Sequence, residues 1–184
     1  GAAACWGANF IGQLGDGTFV NRWTAVSVLG VPEPVAQLSA GASGACAVDA
    51  DSVVRCWGDE PNIALGNNRH NARIVQNENG SPFVASEVSV GYWHRCARVD
   101  TSVFCWGQGP ALGSEVTRSD FPIGVVGISG TISSLSAGYF GTCAVVNGAA
   151  RCWGWNAYGQ LGDGTTTDRL TPVQPVGLAT GVLS

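Results

Sequence analysis

Seven cysteines, Cys5, Cys46, Cys56, Cys96, Cys105, Cys143 and Cys152, are the residues of this 184-residue chain best able to do chemistry. Three kinds of chemistry are open to them: zinc ligation, redox exchange and disulfide bonding. A zinc site draws three or four ligands to within about 2.3 Å of one ion, usually from closely spaced Cys-x-x-Cys pairs. Here the nearest cysteines are nine or ten residues apart and no Cys-x-x-Cys occurs, which also removes the thioredoxin-like redox motif. The two histidines, His70 and His94, stand far apart, and neither has a nucleophile at a telling spacing. Paired carboxylates, a Gly-x-Ser-x-Gly elbow, a phosphate-binding loop and a His-Glu-x-x-His helix are all missing. The expectation is a protein without catalytic residues, metal or cofactor. Asp16-Gly17-Thr18 and Asp163-Gly164-Thr165 are read as turn formers whose side-chain oxygens cap backbone N–H groups, since the alternation of a calcium loop is absent.

The elements that hold these cysteines repeat. Cys-Trp-Gly begins at Cys5, Cys56, Cys105 and Cys152, a period near fifty residues, so each copy is one supersecondary unit that buries its apolar face against a neighbour. A second block, Leu38-Ser39-Ala40-Gly41, Val88-Ser89-Val90-Gly91 and Leu135-Ser136-Ala137-Gly138, precedes Cys46, Cys96 and Cys143, and Leu183-Ser184 matches its start. A third, Gly12-Gln13-Leu14-Gly15 and Gly159-Gln160-Leu161-Gly162, degenerates to Ala64-Leu65-Gly66 and Ala111-Leu112-Gly113 in the middle copies. Pro122-Ile123 and Pro172-Val173 are expected to open the strands that follow. The repeats run approximately over 1–37, 38–87, 88–134 and 135–182, with 183–184 starting the next, all in one tandem-repeat domain.

Asn147-Gly148 between two β-rich runs is a two-residue hairpin signal. Counting outward from it pairs 146 with 149 and brings Cys143 opposite Cys152 at a non-hydrogen-bonded position, where side chains approach most closely. The same counting sets Cys96 against Cys105 across Asp100-Thr101, and Cys46 against Cys56 across a turn centred on Asp51. Three cross-strand disulfides are expected. Cys5 is left unpaired, or free for an intermolecular bond, because its opposite strand would precede Gly1.

Composition sets the compartment and narrows the partners. The chain is 45% hydrophobic and 12% charged, with 27 glycines, a net charge of −4 and nine basic residues, all Arg and none clustered. Electrostatic binding to nucleic acid has little to work with, and no run of 18 apolar residues forms a membrane-spanning helix. Disulfides favour a secreted or cell-surface protein. With no Met and no signal peptide ahead of Cys5, the chain is expected to be a processed form or a fragment.

Together, the apolar-x-Ala-Gly block, Thr142-Cys143-Ala144-Val145, the Trp-Gly strand and the Gly-Gln-Leu-Gly loop resemble the RCC1-type repeat family over nearly the whole chain. The version with Asp-Gly-Thr and paired cysteines is similar to bacterial extracellular members. The resemblance implies an all-β fold of RCC1-like propeller blades, about four repeats of four-stranded antiparallel sheet. It implies either part of a seven-bladed ring or an assembly completed by other copies, with Trp6, Trp57, Trp106 and Trp153 packed between blades. His94 occupies the family's His position and is read as a strand-end hydrogen bond.

Trp23, Tyr92, Trp93, Tyr139, Phe140, Trp155 and Tyr158 break the period and sit in or beside connections, so they are the candidate binding surface, with packing as the competing reading. The expected function is a non-catalytic extracellular protein–protein interaction module. The alternatives are a structural subunit of a surface polymer built through incomplete terminal blades, and carbohydrate binding through the loop aromatics.

Overall fold

Asn147 and Gly148 take left-handed backbone, φ 52° and 74°, as a two-residue type I′ turn demands. The flanking strands pair 146 with 149, 145 with 150, 144 with 151 and 143 with 152. The computed structural model describes residues 1–59 and 70–182, and among them every strand joins a four-stranded or two-stranded antiparallel sheet. Ala64-Leu65-Gly66 and Leu183-Ser184 lie outside the described residues.

The first sheet has two strands, β1 (Ala4–Gly7) and β2 (Arg22–Ser27). Three four-stranded meanders follow. The second sheet is β3 (Val35–Ala40), β4 (Gly44–Asp49), β5 (Val54–Gly58) and β6 (Arg73–Ile74). The third is β7 (Glu87–Val90), β8 (His94–Val99), β9 (Ser102–Gln108) and β10 (Arg118–Gly124). The fourth is β11 (Ile132–Ala137), β12 (Gly141–Val146), β13 (Ala149–Gly154) and β14 (Arg169–Val173). Pro122-Ile123 and Pro172-Val173 do not open following strands. They lie towards the ends of β10 and β14, the outermost strands, where a residue without an N–H costs no ladder bond.

Each four-stranded blade carries one disulfide between its second and third strands: Cys46–Cys56, Cys96–Cys105 and Cys143–Cys152. Cys5 on β1 is a free thiol whose pKa burial pushes up, which disfavours the thiolate.

Blades pack through a recurring contact. The Cys46–Cys56 pair joins Val88, Val90, Ala97 and Trp106 of the next blade in one core cluster. Cys96–Cys105 does the same with Leu135, Ala144 and Trp153, and Cys5 packs with Ala45, Ala47 and Trp57. Two of these indoles also reach back for a carbonyl: Trp57 Nε1 donates to Gln13 O at 3.1 Å and Trp153 Nε1 to Ala111 O at 2.8 Å. Trp106 Nε1 is buried without a hydrogen-bond partner among the described residues. A glycine makes room for the indole. Gly15 (φ +67°) would place a Cβ 2.8 Å from Trp57 Cδ1, so both backbone and space exclude a side chain there. The expectation of burial fails for Trp6 on β1, which is 67% exposed because none of the described residues packs over its indole.

Polar bonds register the seams. Val90 N donates to Ser39 Oγ at 3.1 Å and Ala137 N to Ser89 Oγ at 2.8 Å, so the Ser of the Ser-x-Gly block accepts from the next blade. Two residues of β8 then interlock with its neighbours. Gly44 leaves space for Arg95, which donates to Asp59 O at 2.7 Å. One seam later His94 meets Thr142, Nε2 to Oγ1 at 2.7 Å. Thr142 Oγ1 also lies 3.6 Å from Cys96 Sγ. A disulfide sulfur has no proton, so the hydroxyl donates to sulfur and His94 Nε2–H donates to the hydroxyl. Burial, with Arg95 beside it, drops the His94 pKa from 6.5 to about 3 and keeps the ring neutral.

Candidate functional site

The connection between the first and second strands of each blade is a tight turn closed by Gly41 N to Gly44 O, Gly91 N to His94 O and Gly138 N to Gly141 O. Innermost strands approach so closely that a Cβ on Gly91 would lie 2.6 Å from Gly138 O. Successive turns therefore stand side by side, and two of them carry paired aromatics, Tyr92-Trp93 and Tyr139-Phe140.

Their rings touch in series. Tyr92 stacks on Tyr139 with centroids 4.4 Å apart, and Trp93 lies 5.2 Å from Phe140. Phe140 meets the edge of Trp155 at 5.8 Å, and Trp155 meets Tyr158 at 5.3 Å. Trp155 is anchored by its backbone N–H, which donates to Phe140 O at 2.9 Å. Six of the seven candidate aromatics thus form one continuous rim. Tyr158, Tyr139 and Trp93 are 85%, 61% and 47% exposed, so a large share of the ring area faces solvent. Desolvation against its neighbours and the Tyr92 hydroxyl push the Tyr139 phenol pKa up. Trp23, 91% exposed on β2 in the first sheet, is not brought into this rim.

At its Trp155 end the rim borders a cleft of about 420 Å³ lined by Phe140, Gly141, Cys143, Trp155, Gln160 and Leu161. Offset rings of this kind offer rigid, amphipathic contact area at little entropic cost. Among the described residues no three His, Cys, Asp or Glu side chains gather as metal ligands.

The Asp163-Gly164-Thr165 loop supports the rim's edge through an arrangement that turn propensity alone did not reveal. Asn156, fully buried, donates through Nδ2 to Asp163 Oδ1 and Thr165 O and accepts from Leu161 N. Arg169 Nε closes on Asp163 Oδ2 at 2.7 Å. The Thr165 hydroxyl, with Arg169 and Asn156, holds the Asp163 carboxyl down at about 2. Asn9, Leu14, Asp16, Thr18 and Arg22 reproduce the set. For Asp16 burial opposes the shift, and donation from Thr18, Arg22 and Asn9 outweighs it, again to about 2. These carboxylates are filled by N–H and O–H donors and an arginine. The signal was present in the sequence as matching spacings, Asn9 to Arg22 and Asn156 to Arg169.

Comparison with known proteins follows the same lines. Residues 147–181 match the sequence model of the Regulator of chromosome condensation (RCC1) repeat. No curated protein matches the chain in sequence. Human WBSCR16 shares the fold with a TM-score of 0.77 at 23% identity, over 93% of this chain and 47% of that one. Yeast RCC1 (Prp20), solved bound to Kap60, gives 0.75 at 17% identity over 99% and 48%. Prp20p from Saccharomyces cerevisiae, described with its binding to Gsp1p and histones, gives 0.72 at 17% over 95% and 46%. The chain spans about half the length of these solved structures. One repeat, residues 147–181, matches the RCC1 repeat model, and the blades share the fold of RCC1.

Proposed function

We propose that this chain is a non-catalytic, extracellular protein-interaction module of the bacterial RCC1-like variety, and that its aromatic rim is the contact surface. The observation that carries the reading is the unbroken series of six rings from Tyr92 to Tyr158, presented by rigid turns and left open to solvent. Rigid aromatic anchors supply most of the energy in compact protein interfaces. Binding by yeast RCC1 to Kap60 supports the use of this fold as a protein-binding scaffold. Three disulfides suit an oxidising compartment.

The test is capture of cell-surface and secreted proteins of the source organism on the immobilised chain, compared with Trp93→Ala, Tyr158→Ala and Trp23→Ala. The reading expects a protein retained by the native chain and by Trp23→Ala and lost with the two rim variants. Retention indifferent to the rim substitutions overturns it. So does a glycan-array signal lost with Trp155→Ala when no protein is retained.

A further inference from the structure

Each disulfide of the described residues joins two strands of one sheet, so none ties one blade to the next. The seam between the third and fourth blades brings together two other side chains able to form such a bond. The chain has three tyrosines, and Tyr92 and Tyr139 take the same place in their repeats, where the second blade has Ala42. The backbone sets their separation. A Cβ on Gly91 would lie 2.6 Å from Gly138 O, and Tyr92 N donates to Tyr139 O at 3.3 Å. The rings stack with centroids 4.4 Å apart and planes 23° from parallel, and the Tyr92 hydroxyl lies against that of Tyr139. The stack is therefore head to head, and it sets the carbons ortho to each hydroxyl, where a phenoxyl radical carries much of its unpaired spin, close to one another. Trp93, 47% exposed although its sheet packs against a described sheet on either side, lies 5.2 Å from Tyr92. An electron taken from this indole is replaced from Tyr92, because a tyrosine that releases its proton is the easier of the two to oxidise.

We propose that Tyr92 and Tyr139 form an oxidative cross-linking site, which a peroxide acting through a haem peroxidase converts to dityrosine. Each phenol gives up one electron and its O–H proton. The two phenoxyl radicals couple through their ortho carbons, and the ring hydrogens at the new C–C bond move to the oxygens, which restores both phenols. The net loss is two hydrogen atoms, which reduce one hydrogen peroxide to two waters. Coupling at this pair is favoured over any other because the fold already holds the reacting rings in contact. The product ties the third blade to the fourth and restricts the unfolded chain between them, as a disulfide would. The bond forms whatever the rim binds, so this site and the protein-interaction reading stand or fall separately.

Oxidation of the dilute chain with hydrogen peroxide and a haem peroxidase tests it. All nine basic residues are Arg, and tryptic cleavage after them puts the three tyrosines on separate peptides, 74–95, 119–151 and 152–169. The monomer fraction is expected to gain dityrosine fluorescence. After the disulfides are reduced and the chain is digested, peptide 74–95 should be recovered joined to 119–151, lighter than their sum by two hydrogens. Tyr92→Phe and Tyr139→Phe keep the ring and lose the hydroxyl, and each should abolish this product. Tyr158→Phe should leave its yield unchanged. Circular dichroism confirms that each variant is folded. A monomer without dityrosine, a product dominated by links to Tyr158, or a link between the two peptides that survives Tyr92→Phe or Tyr139→Phe would each overturn the proposal.

Discussion

Acidification tests the lock between the third and fourth blades. His94 is 1% exposed, donates to Thr142 across the seam, and titrates at about 3 when folded against 6.5 as an ordinary imidazole. Between those values the unfolded chain binds a proton that the folded chain refuses, so stability rises with pH. The contribution is complete above 6.5 and is lost as pH falls towards about 3, at roughly 1.4 kcal/mol per pH unit. From neutrality down to about pH 4.5, His94 alone removes about 2–3 kcal/mol, a large part of an ordinary domain's stability. Asp16 and Asp163 do not contribute in this window. Their carboxyls sit at about 2 rather than 3.8, so the stability they add is lost only below about pH 4. The assay is urea unfolding at several pH values with tryptophan fluorescence, comparing the native chain with His94→Gln, which cannot protonate. The native stability should fall across the window and the variant's should stay nearly level, although lower at neutrality. Equal stability of the native chain at about pH 4.5 and pH 7.5 refutes a buried neutral His94, as does a variant that keeps the full slope.

Other perturbations separate seated from unseated groups. Trp153→Ala should cost about 3–5 kcal/mol in the same unfolding assay, because it empties the seam beside Cys96–Cys105 and strands the Ala111 carbonyl, whereas Trp6→Ala should cost less than about 0.5 kcal/mol in the dilute chain. Asn156→Ala leaves the buried Leu161 N–H and the Thr165 carbonyl without their partner, so a loss of about 2 kcal/mol and faster amide exchange at Leu161 are expected by calorimetry and hydrogen exchange.

How far the sequence reaches depends on how local each interaction is. The Asn147-Gly148 hairpin and its register could be counted from the chain, because a two-residue turn dictates which residues oppose one another. The disulfide pairs followed from that register. His94 was legible as a strand-end hydrogen bond, but its partner Thr142 lies 48 residues away and depends on how one blade meets the next. Arg95 reaching Asp59 O past Gly44 is the same kind of long-range fact. Trp6 was misread because periodicity reports what a residue type does inside the array and carries no information on whether a neighbour is present. The aromatics were visible as breaks in the period, yet only the closely packed turns show that six of them form one rim and that Trp23 stands apart.

The central claim is that the disulfide faces of the second and third sheets are each closed by the next blade's tryptophan, whereas no described residue closes that of the fourth sheet. The order in which the three disulfides yield to mild reductant, read by alkylation and peptide mass spectrometry at low protein concentration, tests it most directly. Cys143–Cys152, with Cys143 exposed, should be alkylated first, while Cys46–Cys56 and Cys96–Cys105, at most 1% exposed, remain oxidised until the fold opens. Simultaneous loss of all three, or Cys143–Cys152 persisting longest in the dilute chain, would contradict it.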